Sequence, residues 1–379
     1  MNVFPHGLTG ILFLNGINAG KLSMKLLTKY MIKNHSRLVF ITLAIGICIF
    51  ILIDLIEKAD IFMASRKPFA YALEYYFLKL PFIVSQTLPS IFLLASVIFL
   101  SLMVSSREII ALQAGGVSVY TITKNLIGLG IFWALAQFAL SQMLMHVTEQ
   151  KANFLWRYEV RERIFVEKSL ENLWFFDSGY IVHVGLIYER GRGENFVAYK
   201  LADNARSAEE IIRAEKFTAH DNGWELENVK LYYPEKYIEK EQKAFTLPIE
   251  QSVRFYFISS QDENPQTLSF FVLGEAIKRL QDSGSNIENM QTIWHSKITY
   301  SVMIVVFAVL AVAIISFNAN SYIAVMLAVV VSFVSYVLSS FGMFLGQSGK
   351  IPPVFGAWFP CVLLLVLGYL KIYIGFSKR

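Results

Sequence analysis

Between Ile298 and Gly349 the chain carries no charged residue. As a single helix this stretch would run roughly 78 Å at about 1.5 Å per residue, more than twice the roughly 30 Å hydrocarbon core of a bilayer. It must therefore turn back inside or at the edge of a membrane. The polar tetrad Asn318-Ala319-Asn320-Ser321 is where the sequence divides it into two helices. Four more runs are long and apolar enough to cross: Leu38–Ile56 with Asp54 as its one charge, the charge-free Leu80–Val104 and Asn125–Thr148, and Ile351–Leu370. Six spans result, three before and three after a polar middle. With 55% hydrophobic and 17% charged residues, against about 25% charged in soluble domains, the composition excludes a disordered chain, a coiled coil and an ordinary soluble enzyme.

The acids locate the polar middle. Of 29 acidic residues, 24 lie within 146–290, together with 18 of the 34 basic ones. The overall charge of +5 is thus an average of an acidic middle and a basic remainder. It is no footprint of nucleic-acid binding, and no nucleic-acid partner is expected. Lys21, Lys25, Lys29, Lys33 and Arg37 precede span 1 with no acid among them, and Lys371, Lys378 and Arg379 follow span 6. By the positive-inside rule both termini are cytoplasmic, loop 104–124 is cytoplasmic and 146–290 lies outside. Lys58, Arg66 and Lys67 fall on the outer side against that rule, as noise or as counter-charges for an anionic ligand. Residues 1–23 read either as an extension upstream of a second start at Met24 or as an unstructured tail; no basic residue precedes the weak apolar run Ile11–Leu14, which argues against a signal peptide.

The domain plan is a cytoplasmic segment at 1–37, spans 1–3 within 38–148, a β domain at 149–267, a helical linker at 268–292, and spans 4–6 within 293–379. Short strand-like runs fill the middle: Leu173–Phe176, Tyr180–Val184, Phe196–Tyr199, Trp224–Val229 and Lys230–Tyr233. Asp177-Ser178-Gly179, Gly191-Arg192-Gly193 and Asp221-Asn222-Gly223 separate them as turns. This spacing predicts an all-β sandwich or jelly roll. An amphipathic helix is expected over Ser269–Asp282. The two cysteines, Cys48 and Cys361, fall in spans 1 and 6 and read as small apolar residues, so the outer domain holds together without disulfides.

Catalytic signatures are absent. No Gly-x-x-x-x-Gly-Lys-Ser/Thr phosphate loop occurs, and the six histidines show no metal-ligand spacing. No nucleotide or metal cofactor is expected in this chain. Asp54 is the clearest intramembrane acid; it reads either as a partner of Lys58 one helical turn on or as a residue that touches substrate. The cytoplasmic loop from Ser105 to Ser118 is the most informative stretch. Ile109, Ala111 and Leu112 give a short helix an apolar side, Gly115-Gly116 stops it, and Glu108 is its single acid. Such a helix suits docking on a cytoplasmic partner.

The run Arg107-Glu108-Ile109-Ile110-Ala111-Leu112-Gln113-Ala114-Gly115-Gly116 is similar to the coupling segment of the lipopolysaccharide-export permeases LptF and LptG. With six spans and a β domain between spans 3 and 4, the chain from Met24 resembles that family over nearly its whole length. Lys278-Arg279-Leu280-Gln281-Asp282-Ser283-Gly284 and Gly349-Lys350-Ile351-Pro352-Pro353 resemble the LptG branch.

The resemblance implies a non-catalytic, six-span subunit of an ABC transporter in the inner membrane of a Gram-negative bacterium, with a periplasmic β-jellyroll domain between helices 3 and 4. Its partners would be an LptB-like ATPase dimer, which binds ATP and Mg, an LptF-like permease, an LptC-like single-span protein and an LptA-like periplasmic bridge. Its cargo would be lipopolysaccharide, taken from membrane lipid. Glu108 would meet a base of the ATPase, with Arg107 beside it and Ile109 and Leu112 packed into the ATPase groove. Lys58, Arg66, Lys67, Lys151, Arg157 and Lys297 would be candidates for the lipid phosphates, with Asp54 among them. Here the sequence departs from the family pattern: Asp54, Glu57 and Asp60 stand where bases are expected. Spans 1 and 5 would form lateral gates, with Gly342 and Gly346 allowing close helix approach or simply lipid packing. The competing readings are the LptF subunit of the same complex, a mechanotransmitting ABC membrane subunit, and a lipid-modifying membrane enzyme built on Asp54, Glu57 and His146.

Overall fold

The structure, a computed structural model, describes residues 8–65, 67–161, 169–188, 190–201, 208–220, 223–249, 265–282, 286–317 and 320–377. It divides into two units, one of residues 1–162 and 288–379 and the other of residues 163–287.

The first unit is helical. Helix α1 is Leu8–Ala64, α2 Phe69–Ser105, α3 Glu108–Ala114 and α4 Val119–Ala139. A π turn at Leu140–Met145 carries α4 into α5, His146–Phe154, and a second follows at Leu155–Val160. Among the described residues, six helical stretches are long and apolar enough to cross a membrane. Helices suit this setting because each span satisfies its own backbone hydrogen bonds.

Two boundaries differ from the sequence reading. Span 1 is a helix well before Leu38, because Leu27, Met31, His35, Val39 and Leu43 form a buried stripe at four-residue steps. Span 3 does not end at Thr148 but stays helical to Val160, where Ala152, Leu155 and Val160 bury against Tyr75 and Tyr76 of α2. The charges of Glu149, Lys151 and Arg157 ended the apolar run without ending the helix.

The described residues of the second unit include six strands: β1 Ser169–Asp177, β2 Tyr180–Tyr188, β3 Arg192–Leu201, β4 Ala208–His220, β5 Gly223–Tyr233 and β6 Ile238–Leu247. Each pairs antiparallel with the next, in sequence order. Ser178 and Gly179 both take positive φ, 50° and 84°, between β1 and β2, the geometry of a two-residue hairpin turn. Trp224–Val229 and Lys230–Tyr233 are one strand, not two. No turn residue lies between Val229 and Lys230; instead Asn228, at φ 55°, stands opposite Glu215 without pairing, and the alternation of buried residues shifts there while the register is kept.

That interruption belongs to a crease across the sheet. The pairing skips Asn172, Gly185, Asn195, Glu215, Asn228 and Lys243 in turn, one on each strand. On one side of the crease Val182, Val184, Phe196, Ala198, Ile212, Ala214, Val229 and Leu231 are buried; on the other Ile187, Phe217, Leu226, Trp224 and Leu247 are. Rings from the two halves meet: Phe175 on β1 lies 5.6 Å from Trp224 on β5, four strands away. A single meander of six strands, one sheet rather than the two of a sandwich or jelly roll, thus curls over its own core as the β domain between spans 3 and 4. Helix α6, Phe270–Asp282, completes the unit. It is amphipathic as expected, burying Leu273, Ala276, Ile277 and Leu280.

The chain re-enters the helical unit through α7, Glu288–Phe317; α8 is Ser321–Gln347 and α9 Pro353–Ser377. Helix α7 begins inside the stretch assigned to the linker. As span 4 it is mostly buried, whereas spans 1 and 5 bury little of their length. The split at the tetrad is made by Asn320, whose Oδ1 caps α8 by accepting the Tyr322 N–H at 3.0 Å; Asn318 and Ala319 lie outside the described residues. Gly342 and Gly346 neither await a partner nor merely face lipid. A Cβ on Gly342 would overlap the Gly356 carbonyl of α9, and one on Gly346 would lie 2.9 Å from Thr292 of α7. Polar side chains tie spans 2, 3 and 4: Gln137 Nε2 donates to Ser85 Oγ at 3.1 Å, and Ser301 Oγ donates to Gln137 Oε1.

Candidate functional site

Two clusters stand at opposite ends of the helical unit. The first surrounds the loop helix. After α2 the chain reverses at Ser106 and Arg107, the latter at φ 59°. Helix α3 spans one and a half to two turns before Gly115 and Gly116, at φ 82°, stop it. Ser118 then caps α4, its Oγ accepting the Thr121 N–H at 3.3 Å. Glu108 accepts hydrogen bonds from Tyr30 Oη on α1 at 2.8 Å and from Ser106 Oγ at 3.0 Å. Arg107 is exposed. Ile109 and Leu112 are half-buried and pack against the bundle's own core. The apolar side chain left in solvent is Ile110, 63% exposed. Each seat follows from the helical repeat: 109 and 112 share the inward face, so 110 points away.

Two grooves meet at the Tyr30–Glu108 bond. One, of about 630 Å³, runs past Asn34, Arg37, Leu38 and Met103; the other, of about 470 Å³, past Leu26, Ala111, Leu112 and Val117. Tyr30 and Glu108 line both. Tyr30 was not singled out by sequence, because an isolated tyrosine near a helix end carries no pattern.

The second cluster lies at the other end, where α1 ends and α2 begins. Lys58 Nζ donates to Asp54 Oδ1 at 2.7 Å and Oδ2 at 2.8 Å, and Lys79 Nζ donates to the same Oδ1 at 2.9 Å. Both ammonium groups also donate to Tyr75 Oη, at 2.7 and 2.9 Å. Asp54/Lys58 on α1 and Tyr75/Lys79 on α2 are both four-residue pairs, so two facing helices each contribute one face. The side chains of Asp54, Lys58 and Lys79 are 12%, 16% and 16% exposed. Aromatic faces wall them: Lys58 sits 5.1 Å from the Trp156 ring and Lys79 5.6 Å from Phe50. Thus Asp54 pairs with Lys58 as one reading expected, but with a second lysine as well. Lys79 escaped notice because it stands directly before the charge-free run that defined span 2.

The remaining expected bases do not converge on one point. Lys67 pairs with Glu159 at 3.4 Å and lies over Tyr71. Lys151 and Arg157 are exposed on the extended span 3. Lys297 is half-buried on α7, within electrostatic reach of Glu149, which also feels Lys79. Arg66 lies outside the described residues.

Six apolar helices, a β domain inserted at the midpoint and a short acidic helix in the loop between spans 2 and 3 define a multi-pass membrane protein of the permease class. The family described as lipopolysaccharide export system permease LptF/LptG matches residues 29–374. The chain belongs to that family. No curated protein matches it.

Proposed function

We propose that the chain is the LptG-type permease subunit of an ATP-driven transporter that extracts lipopolysaccharide from the inner membrane and passes it to a periplasmic bridge. The observation that carries the reading is α3. It is the one short helix between spans 2 and 3 among the described residues, and it presents a half-exposed carboxylate beside an exposed Ile110. In this reading Glu108 meets a base on an LptB-like ATPase dimer, which holds ATP and Mg, and Arg107 and Ile110 flank that contact. Ile109 and Leu112 seat the helix on its own bundle and so carry motion inward. An LptF-like permease, an LptC-like single-span protein and an LptA-like bridge complete the complex. Both termini face the cytoplasm and the β domain the periplasm. The lysines and arginines at the outer end, Lys58, Lys67, Lys151, Arg157 and Lys297, serve the lipid phosphates. The LptG assignment over LptF rests on the stretches before spans 4 and 6.

The test is co-purification of the tagged chain, expressed with its neighbouring genes. An ATPase and a second six-span protein are expected to accompany it. Glu108→Ala is expected to reduce the bound ATPase by about tenfold or more, the effect of leaving one charge of a partly buried pair without its partner. Tyr30→Phe, which deletes only the donor within the chain, is expected to retain the ATPase. If the unsubstituted chain brings no ATPase, the transporter reading fails.

A further inference from the structure

Intramembrane charges are expensive to keep and occur where they serve a site. The Asp54–Lys58–Lys79 triad has a further property: it is saturated from within. Oδ1 of Asp54 accepts from both ammonium groups, at 2.7 and 2.9 Å. The lysines are aimed at one point, with Tyr75 Oη donated to by both. Two ammonium groups converging on one oxygen can serve a phosphate oxygen as well as a carboxylate oxygen. Asp54 fills that place. With the carboxylate seated the three groups sum to a single positive charge; with it withdrawn, two positive charges face a phosphate dianion.

We infer that Asp54 is a resident counter-anion that occupies a two-lysine phosphate site formed by Lys58, Lys79 and Tyr75, and that a phosphate-bearing ligand binds by displacing it. The site would then be closed to weak anions and open to one that offers more acceptor oxygens than a carboxylate. The position favours a lipid carrier. Leu52, Ile53 and Ile56, within about one helical turn of Asp54, are exposed on span 1 at 57%, 62% and 76%, so a lipid lying along that helix places its headgroup near the triad. This inference deepens the permease reading and rests on it for the identity of the lipid. It also explains why acids stand among the bases after span 1: Asp54 tunes the site instead of abolishing it.

The test uses the full chain in neutral detergent, with native mass spectrometry to follow binding of phosphatidic acid, phosphatidylcholine and inorganic phosphate. Asp54→Asn is expected to bind phosphatidic acid on the order of tenfold more tightly than the unsubstituted chain, the worth of one charge-assisted hydrogen bond no longer in competition. Lys79→Met is expected to lose that gain when combined with it. Phosphatidylcholine binding is expected to stay unchanged. A gain with phosphatidic acid alone identifies a lipid headgroup; a gain with inorganic phosphate as well identifies any phosphate, and either supports the exchange. Should Asp54→Asn fail to fold, the unsubstituted chain provides the second measurement: a hydrophobic carbodiimide is expected to label Asp54 faster when phosphatidic acid is present. Binding by Asp54→Asn no tighter than by the unsubstituted chain, or labelling indifferent to phosphatidic acid, overturns the inference. Neither measurement needs an ATPase, so a negative result here leaves the co-purification outcome standing, and the reverse.

Discussion

Trp224→Ala is expected to destabilise the β domain strongly and raise its opening while leaving the six spans assembled. The Trp224 ring is fully buried and stacks on Phe217 at 5.0 Å with an interplanar angle of 2°. It also meets Phe196 at 6.0 Å and Phe175 at 5.6 Å. It therefore joins strands from both sides of the crease, where a sheet held only by ladder hydrogen bonds would flatten and expose both halves. Truncating a buried tryptophan costs about 3–5 kcal/mol, and a domain of this size has roughly 5–15 kcal/mol in total. Limited proteolysis checks the result: cleavage should rise between 163 and 287, with the helical spans still protected by detergent. Protection of the β domain equal to that of the unsubstituted chain would show that the core closes without this ring.

Where the sequence was legible, the reason was chemical. A membrane leaves few options for an apolar stretch, so the six spans followed from the positions of charges and of one uncharged polar break. Asn320 could be read as a break because its side chain satisfies a backbone donor that the end of a helix exposes. Ser178-Gly179 could be read as a turn because its residues tolerate positive φ. Boundaries failed where hydropathy and helicity part: α1 begins far before Leu38, and span 3 outlasts Thr148, because a helix continues through charged residues that a membrane excludes. The crease failed for another reason. Asn172, Asn195 and Asn228 each disturb the alternation locally, and only strand register shows that they fall in one line.

The site was half legible by the same logic. Glu108 stood out as the single acid of the loop from Ser105 to Ser118, and Asp54 as an acid in a span. What could not be read were their partners across the bundle. Tyr30 and Glu108 are 78 positions apart, and Lys79 lies 25 beyond Asp54. Sequence spacing reports neighbours on one helix face and says nothing of a facing helix. Ile109 and Leu112 show the converse limit. An apolar face on a short helix looks the same whether it serves a partner or its own bundle; the structure packs both against the bundle while leaving each half-buried.

The second large effect is expected at the crossing of α8 and α9. Gly342→Leu should separate span 5 from span 6, because a side chain there meets the Gly356 backbone, which has no rotamer with which to yield. Overpacking usually costs about 1–3 kcal/mol where side chains can shift; against a carbonyl the cost should reach or exceed the top of that range. Span 5 has few other anchors. Phe333, Tyr336, Phe341 and Phe344 are 60–67% exposed along it, and only Ala324, Ala328, Ser335, Gly342 and Gly346 are buried. The small residues are thus the contact stripe and the large ones the outer face, the reverse of a soluble helix and the pattern of a span held by close backbone approach. Gly342→Ala should be milder than Gly342→Leu, and Phe341→Ala, one position before it, should leave the bundle nearly unchanged. Thermal unfolding in detergent separates the three: a large drop in midpoint for Gly342→Leu, a smaller one for Gly342→Ala and almost none for Phe341→Ala. If Phe341→Ala proved as damaging as Gly342→Leu, the exposed aromatic face, and not the glycine crossing, would be what fixes span 5.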